Sequence, residues 1–288
     1  MKLAFIGLGV IGYPVAGHLS RAGYNITVFN RTPGKAAKWV SEYSGTSAPT
    51  PAAAADNADV IFTCVGNDDD LREVVTSDNG VLTTLKAGAI LVDHTTASAE
   101  VATELAAMLK ERDACFIDAP VSGGQQGAES GQLTVMCGGD QSGFDTISPL
   151  VQTYAKQVTL MGPAGAGQLT KMVNQICIAG LIQSLAEGVQ FAQNAGLDVE
   201  QVFDVIGNGA AQSWQMDNRY QTMNDDQYEH GFAVDWMRKD LAICLNEARK
   251  NGSHLPVAAL VDQFYSEVQK MGGGRWDTSS LLKRLLRF

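Results

Sequence analysis

The sequence predicts an α/β fold for residues 1–162, with a mostly parallel sheet, followed by an all-helical domain over residues 163–288. Three observations carry this. Short apolar runs alternate with helix-like segments through the first half, the signature of βαβ units. Gly7, Gly9 and Gly12 stand between the first apolar run and the helix that follows it. Beyond residue 163 the runs give way to long amphipathic segments, beginning with "GQLTKMVNQICIAGLIQSLAEGVQFAQNAG". A length of 288 residues also suits two domains.

The first element is "KLAFI", a strand, and the turn after it carries G-x-G-x-x-G. A lone match is weak, but this one lies between a strand and a helix, with a second strand, "NITVFN", at the right distance. It is therefore read as the dinucleotide-binding loop of a Rossmann domain. Gly7, Leu8, Gly9, Val10, Ile11 and Gly12 lie against the pyrophosphate, which also meets the helix N-terminus. The opening "MKLAFIGLGVIGYPVAG" has a lysine and an apolar run as a signal peptide does, but its glycine spacing marks it as strand and turn.

The end of the second strand discriminates between cofactors. An acid there holds the ribose 2′-OH of NAD; this chain has Asn30, Arg31 and Thr32. A guanidinium, a hydroxyl and an amide suit a 2′-phosphate, so NADP(H) is expected to be preferred, with NAD(H) possible. A polar turn with an incidental arginine is the plainer alternative. Further strand-like runs follow at 58–66, 87–96, 114–124, 131–139 and 156–162, with helical segments at 70–77 and 98–113 between them. Ligands of such sheets bind beyond the C-terminal ends of the strands. The loops "VGNDDD", "DHTTAS" and "APVSGGQQG" are where chemistry should gather. In the last, Ser122, Gly123 and Gly124 offer a hydroxyl and accessible backbone N–H groups, a cradle for a carboxylate or simply a turn.

"GPAGAGQ" reads as a short linker into the helical half. Lys171, Asn174 and Gln175 then place an amine and two amides on one face of a mostly apolar helix. Charge is unwelcome in such a helix, and the plain reading is a lysine that snorkels to solvent from the helix end.

The net charge of −10 disfavours nucleic acid and anionic membrane surfaces as partners, and no 18-residue charge-free apolar run suggests a membrane span. Five scattered cysteines, with no CxxC, indicate reduced, buried thiols and a cytoplasmic location. The isolated histidines offer no metal site.

The motifs "FIGLGVIGYPVAGHL", "DHTTAS", "DAPVSGGQQGAESGQLTVMCGG", "GAGQLTKMVNQ" and "DWMRKDLAICLNEA" together resemble the β-hydroxyacid dehydrogenases over essentially the whole chain. Ala99 departs from the pattern, which often has proline there. The resemblance implies a Rossmann domain joined by a long interdomain helix to an all-helical domain, and a homodimer or homotetramer. It implies Lys171 as the catalytic lysine and Ser122, Gly123, Gly124 and Asn174 as substrate anchors. Thr96 and Lys239 are implied as cofactor contacts, with Val65 and Asn67 in the same cleft. The expected reaction is hydride transfer between the cofactor and a short semialdehyde or ketoacid, or the matching β- or γ-hydroxyacid, with the substrate bearing a carboxylate. Imine reductases share the architecture but usually replace the lysine. A 6-phosphogluconate dehydrogenase would need a longer second domain, and a non-catalytic nucleotide-sensing module would not need this residue set. Trp214, Met216, Phe232, Asp235 and "RWDTSS" are candidates for substrate discrimination.

Overall fold

The computed structural model describes residues 1–287. Nine strands form one sheet: β1 (Lys2–Ile6), β2 (Asn25–Phe29), β3 (Thr46–Ser47), β4 (Val60–Thr63), β5 (Ile90–Asp93), β6 (Cys115–Asp118), β7 (Val121–Ser122), β8 (Leu133–Gly138) and β9 (Ala155–Gly162). The order β3-β2-β1-β4-β5-β6 is parallel throughout, the Rossmann arrangement. β8 then pairs antiparallel with β6 and β7 and parallel with β9.

Side-chain alternation along each central strand builds two cores, one on each face. Leu3 and Phe5 of β1 join Phe62, Val92 and Ile117 on one face, covered by α1 (Gly12–Arg21) through Val15 and Leu19 and by α2 (Pro33–Glu42) through Trp39. Ala4 and Ile6 join Ile61 and Leu91 on the other, covered by α3 (Pro51–Ala55), α4 (Asp68–Thr76) and α5 (Ala99–Lys110). Two further helices, α6 (Gly124–Glu129) and α7 (Gln141–Val151), complete this unit's connections. The alanine tract 51–55, which carries no helical periodicity, is a helix because Thr50 caps it and Pro51 stands at its first turn.

The chain separates into two compact units, residues 1–171 and 172–288. The helix α8 (Ala166–Asn194) crosses that boundary. Its start corrects one reading of the sequence: the glycines of 165–168 do not make a linker. Gly165 adopts φ +92, and Gly167 and Gln168 are buried at the helix start, packed on the sheet. A Cβ on residue 167 would lie 2.4 Å from the Met136 carbonyl oxygen and 2.8 Å from the Asp118 carboxylate. The glycine is there for close approach, not for flexibility.

The second unit packs the rest of α8 with α9 (Val199–Ile206), α10 (Trp214–Asn224), α11 (Val234–Asn251), α12 (Pro256–Lys270) and α13 (Leu281–Leu285). Ala179, Ile182, Ala186 and Val189 of α8 meet Met237 and Leu241 of α11 and Val261 and Tyr265 of α12 in a single core. By length and composition α8 could also cross a membrane, but this stripe forms the core of a packed helical unit.

Gly167→Ala therefore forces α8 away from β6 and β8. Overpacking of this kind costs about 1–3 kcal/mol, a fall of several degrees in Tm; thermal unfolding of the variant checks it, and an unchanged Tm would show that the helix start is not held where the close approach places it.

Candidate active site

The glycine loop has a separate cause at each glycine. Gly7 adopts φ +100, and a Cβ there would meet the Cys64 carbonyl at 2.2 Å; one on Gly12 would meet the Gly7 carbonyl at 2.0 Å. A Cβ on Gly9 would meet nothing within 4 Å, so the backbone there faces open space. The α1 helix starts without a side-chain cap and without an acid in its first turn, which leaves its N-terminal N–H groups for an anion. This combination fits a dinucleotide pyrophosphate. Leu8 N–H donates to Asn30 Oδ1 at 2.8 Å, and Asn30 Nδ2 donates to the Thr32 carbonyl at 3.1 Å. The Asn30 side chain thus braces the glycine loop against the end of β2. Val10 is exposed and Ile11 half-buried beside it. Arg31 and Thr32 are exposed, and Arg31 Nη1 pairs with Asp70 Oδ1 at 3.1 Å.

Beyond β4 and β5 a buried carboxylate organises the next loops. Asp93 Oδ1 accepts from Thr63 Oγ1 at 2.7 Å, Thr95 Oγ1 at 2.6 Å and Thr95 N–H at 3.1 Å. Thr95 Oγ1 in turn accepts from Val65 N–H at 3.0 Å. Asn67 caps α4, its Oδ1 accepting from Asp70 N–H at 2.8 Å. Val65, Asn67 and half-buried Thr96 are so held on two adjacent loops. Asp93 Oδ2 is buried without a hydrogen-bond partner. Burial pushes the Asp93 carboxyl up to about 7, against the opposing pull of the threonine donors. His94 is fixed between the Ala119 carbonyl and the Tyr154 hydroxyl, at 2.6 and 2.9 Å. Burial pushes it down to about 4, so it is a neutral structural ring at pH 7.

The start of α8 is gripped twice. Asp118, at the end of β6, accepts from Gly165 N–H on Oδ1 at 2.8 Å and from Gln168 N–H on Oδ2 at 2.9 Å. A carboxylate thereby satisfies a donor the helix cannot satisfy itself; burial nonetheless pushes the group up to about 6. The Gln168 amide makes the second grip, donating to the Thr95 carbonyl at 2.7 Å and accepting from Ala97 N–H at 3.1 Å. Thr96 lies between these two anchored residues. Lys171 follows Gln168 by three positions and is only 7% exposed. That burial runs against a lysine reaching out to solvent. Neither Asp118 nor Gln168 stood out in the sequence; the signal was the polar residue closing a strand in "FIDAP" and the glutamine after "GAG".

Ser122 is half-buried and pairs with Thr134 in the β7–β8 ladder. Gly123 and Gly124 follow at φ +129 and +60, and a Cβ on Gly124 would meet nothing within 4 Å. The chain turns there as only glycine readily allows, with its backbone open.

In the second unit, Asn174 Nδ2 donates to Gln175 Oε1 at 2.7 Å, and Gln175 Nε2 to Asp240 Oδ2 at 2.7 Å. Asp240 is buried, and its Oδ1 lies 3.0 Å from Lys239 Nζ. The structure therefore joins Asn174 and Lys239 through Gln175, which the sequence placed on the same face as Asn174, and through Asp240, which it did not mark. Of the candidates for substrate discrimination, Met216 belongs to the helical core. Asp277 is fully buried, bonding Phe232 N–H at 2.8 Å and Ser279 N–H at 3.0 Å, so this part of "RWDTSS" is structural. Asp235 accepts from Gln269 at 2.6 Å, while Trp214 stays exposed. Among the described residues, no group of three His, Cys, Asp or Glu could hold a metal ion.

Comparison with known proteins accords with this geometry. Residues 2–162 match the family model described as the NAD-binding domain of 6-phosphogluconate dehydrogenase. Residues 165–285 match that of NADP-dependent 3-hydroxyisobutyrate dehydrogenase. An uncharacterised oxidoreductase of Shewanella frigidimarina is 65% identical over 99% of this chain and 98% of its own. A probable 3-hydroxyisobutyrate dehydrogenase-like protein of Arabidopsis thaliana is 40% identical over 99% and 85%. The solved 3-hydroxyisobutyrate dehydrogenase of Mycobacterium tuberculosis, with L-serine, superposes with a TM-score of 0.89 at 26% identity, covering 99% and 98% of the two chains. On this sequence, this fold and these relatives, the chain belongs to the β-hydroxyacid dehydrogenase family and is an NAD(P)-dependent oxidoreductase.

Proposed function

We propose that the protein is an NADP-preferring enzyme that interconverts a short, carboxylate-bearing semialdehyde or ketoacid with its β- or γ-hydroxyacid, using Lys171 as general acid and base. The observation that carries this reading is the burial of Lys171, three residues beyond Gln168, whose backbone N–H and side-chain amide are both hydrogen-bonded. The bound nicotinamide supplies the hydride for reduction and accepts it in oxidation. Lys171 as the ammonium donates a proton to the carbonyl oxygen in reduction. As the neutral amine it takes the hydroxyl proton in oxidation. Asn174, one turn on, hydrogen-bonds the substrate while Gln175 fixes its orientation. Ser122 and the exposed backbone of Gly123 and Gly124 receive the substrate carboxylate. L-serine, present with the mycobacterial protein, is itself a β-hydroxyacid, which supports this substrate class.

The pyrophosphate is held by the backbone of Gly7–Gly12 and the start of α1, and a 2′-phosphate by Arg31 and Thr32. No acid follows β2 directly to oppose it. Exposed apolar side chains on the second unit's part of α8, Val173, Leu181 and Phe191, support assembly as a homodimer or homotetramer.

Lys171→Ala should fold, bind NADPH within about threefold of wild type, and lose kcat by about 10²–10⁴-fold, the usual worth of general acid–base catalysis. Lys171→Arg should not restore turnover, because a guanidinium stays charged. NADPH affinity by fluorescence beside steady-state aldehyde reduction checks this; retention of more than about a tenth of kcat would return Lys171 to a structural role. In a panel of aldehydes, those bearing an acid should be reduced at least about tenfold more efficiently than neutral ones of equal length, since each buried donor left unpaired costs about 1–3 kcal/mol. Equal kcat/KM for succinic semialdehyde and butyraldehyde would remove Ser122, Gly123 and Gly124 as the carboxylate site.

A further inference from the structure

The acid that NAD-binding domains commonly carry at the end of the second strand is missing here, yet an acid reaches the same place from elsewhere. Asp70 stands in the first turn of α4, 39 residues beyond Arg31, and its Oδ1 lies 3.1 Å from Arg31 Nη1. Its backbone is held apart from the arginine: its N–H donates to Asn67 Oδ1 at 2.8 Å. Its two acidic neighbours are directed otherwise. Asp68 accepts from Ser98 N–H at 2.9 Å and from the Ser98 hydroxyl. The Asp69 side chain is 97% exposed and lies 3.8 Å from Arg72, which is held in turn by Glu104. Of the three acids in "NDDD", Asp70 is the one paired with Arg31.

We propose that Asp70 tempers the discrimination between NADP and NAD, by keeping a carboxylate on the guanidinium that a 2′-phosphate would share. This rests on the reading of Arg31 as the 2′-phosphate ligand. A phosphate on Arg31 and the Asp70 carboxylate would share one guanidinium, two anions within a few ångströms of each other. The Arg31 side chain is 79% exposed and bonded to Asp70 through one nitrogen, so the pair does little to orient it. Repulsion of the phosphate outweighs that small gain. NAD brings no phosphate; its ribose hydroxyls can donate to Asp70 while the ion pair stays intact. The pair thus tempers a preference that Arg31 alone would make stronger, and leaves NAD usable.

The test is direct binding of NADPH and NADH, by nicotinamide fluorescence at low salt, to wild type, Asp70→Asn, Asp69→Asn and Arg31→Ala. Asn keeps the shape of residue 70 and its capped N–H. Asp70→Asn should tighten NADPH about three- to tenfold, the size of a charge–charge term over this range in water, leave NADH unchanged or weaker, and lose most of the gain at high salt. Asp69→Asn, which removes the same charge one residue away, should shift NADPH by less than about twofold. An unchanged or lowered preference for NADPH in Asp70→Asn would overturn the proposal, as would an equal shift from Asp69→Asn. Arg31→Ala separates the two levels. A selective loss of NADPH beside a silent Asp70→Asn sinks the role of Asp70 alone, whereas equal losses of NADPH and NADH remove the Arg31 reading and this proposal with it.

Discussion

The grip of Asp118 and Gln168 on the first turn of α8 is the constraint on which the site depends. A helix begins with donors it cannot satisfy, and here a carboxylate from the end of β6 satisfies one of them at 2.9 Å. The glutamine that donates that N–H also locks its side chain onto the loop after β5. A strand end, the loop after β5 and the helix bearing Lys171 are thereby tied by four hydrogen bonds within one compact unit. The glycine at 167 is the steric counterpart, since any side chain would collide with Met136 and Asp118. A proton donor is effective only when placed closely against its acceptor, and in the role proposed for Lys171 this arrangement fixes the backbone that carries it.

The arrangement has an energetic cost. Asp93 and Asp118 are both fully buried, and burial raises both, to about 7 and about 6. An acid whose pKa is higher in the folded protein than in the unfolded chain holds its proton longer when folded. The stability it contributes is present below the ordinary aspartate range and is lost as pH rises toward the folded value. Near neutral pH the fold thus carries the cost of burying carboxylates in return for fixed loops, a use of buried polar groups for specificity of structure. In the second unit, buried Asp240 pairs with Lys239 and accepts from Gln175, 65 residues away in sequence.

Much of the fold was legible in the sequence because its signals are local. The strand before Gly7, the glycine spacing and the second strand each follow from steric rules that act over a few residues, and the sheet order accords with them. The apolar stripe of α8 was legible from its periodicity, and so was the shared face of Lys171, Asn174 and Gln175. What stayed hidden is long-range. Asp118 and Gln168 act on partners 47 to 73 residues away, mostly backbone atoms whose identity leaves no trace in sequence. The glycines at 165 and 167 suggested a linker because composition does not distinguish freedom from close packing. Asp70 was one of three equivalent acids until the fold directed each to a different partner.

In the role proposed for Lys171, the side-chain amide of Gln168 holds that lysine in catalytic register. The measurement that reaches it most directly is kcat of Gln168→Ala for the best aldehyde substrate, taken beside NADPH affinity on the folded protein. Loss of the amide frees the helix start from the loop containing Thr96. A fall in kcat of about 100-fold is expected, the scale set by small misplacements of reacting groups, with NADPH affinity kept within about threefold because the proposed cofactor ligands, the glycine loop and Arg31, are untouched. Wild-type kcat in a folded Gln168→Ala protein would contradict it.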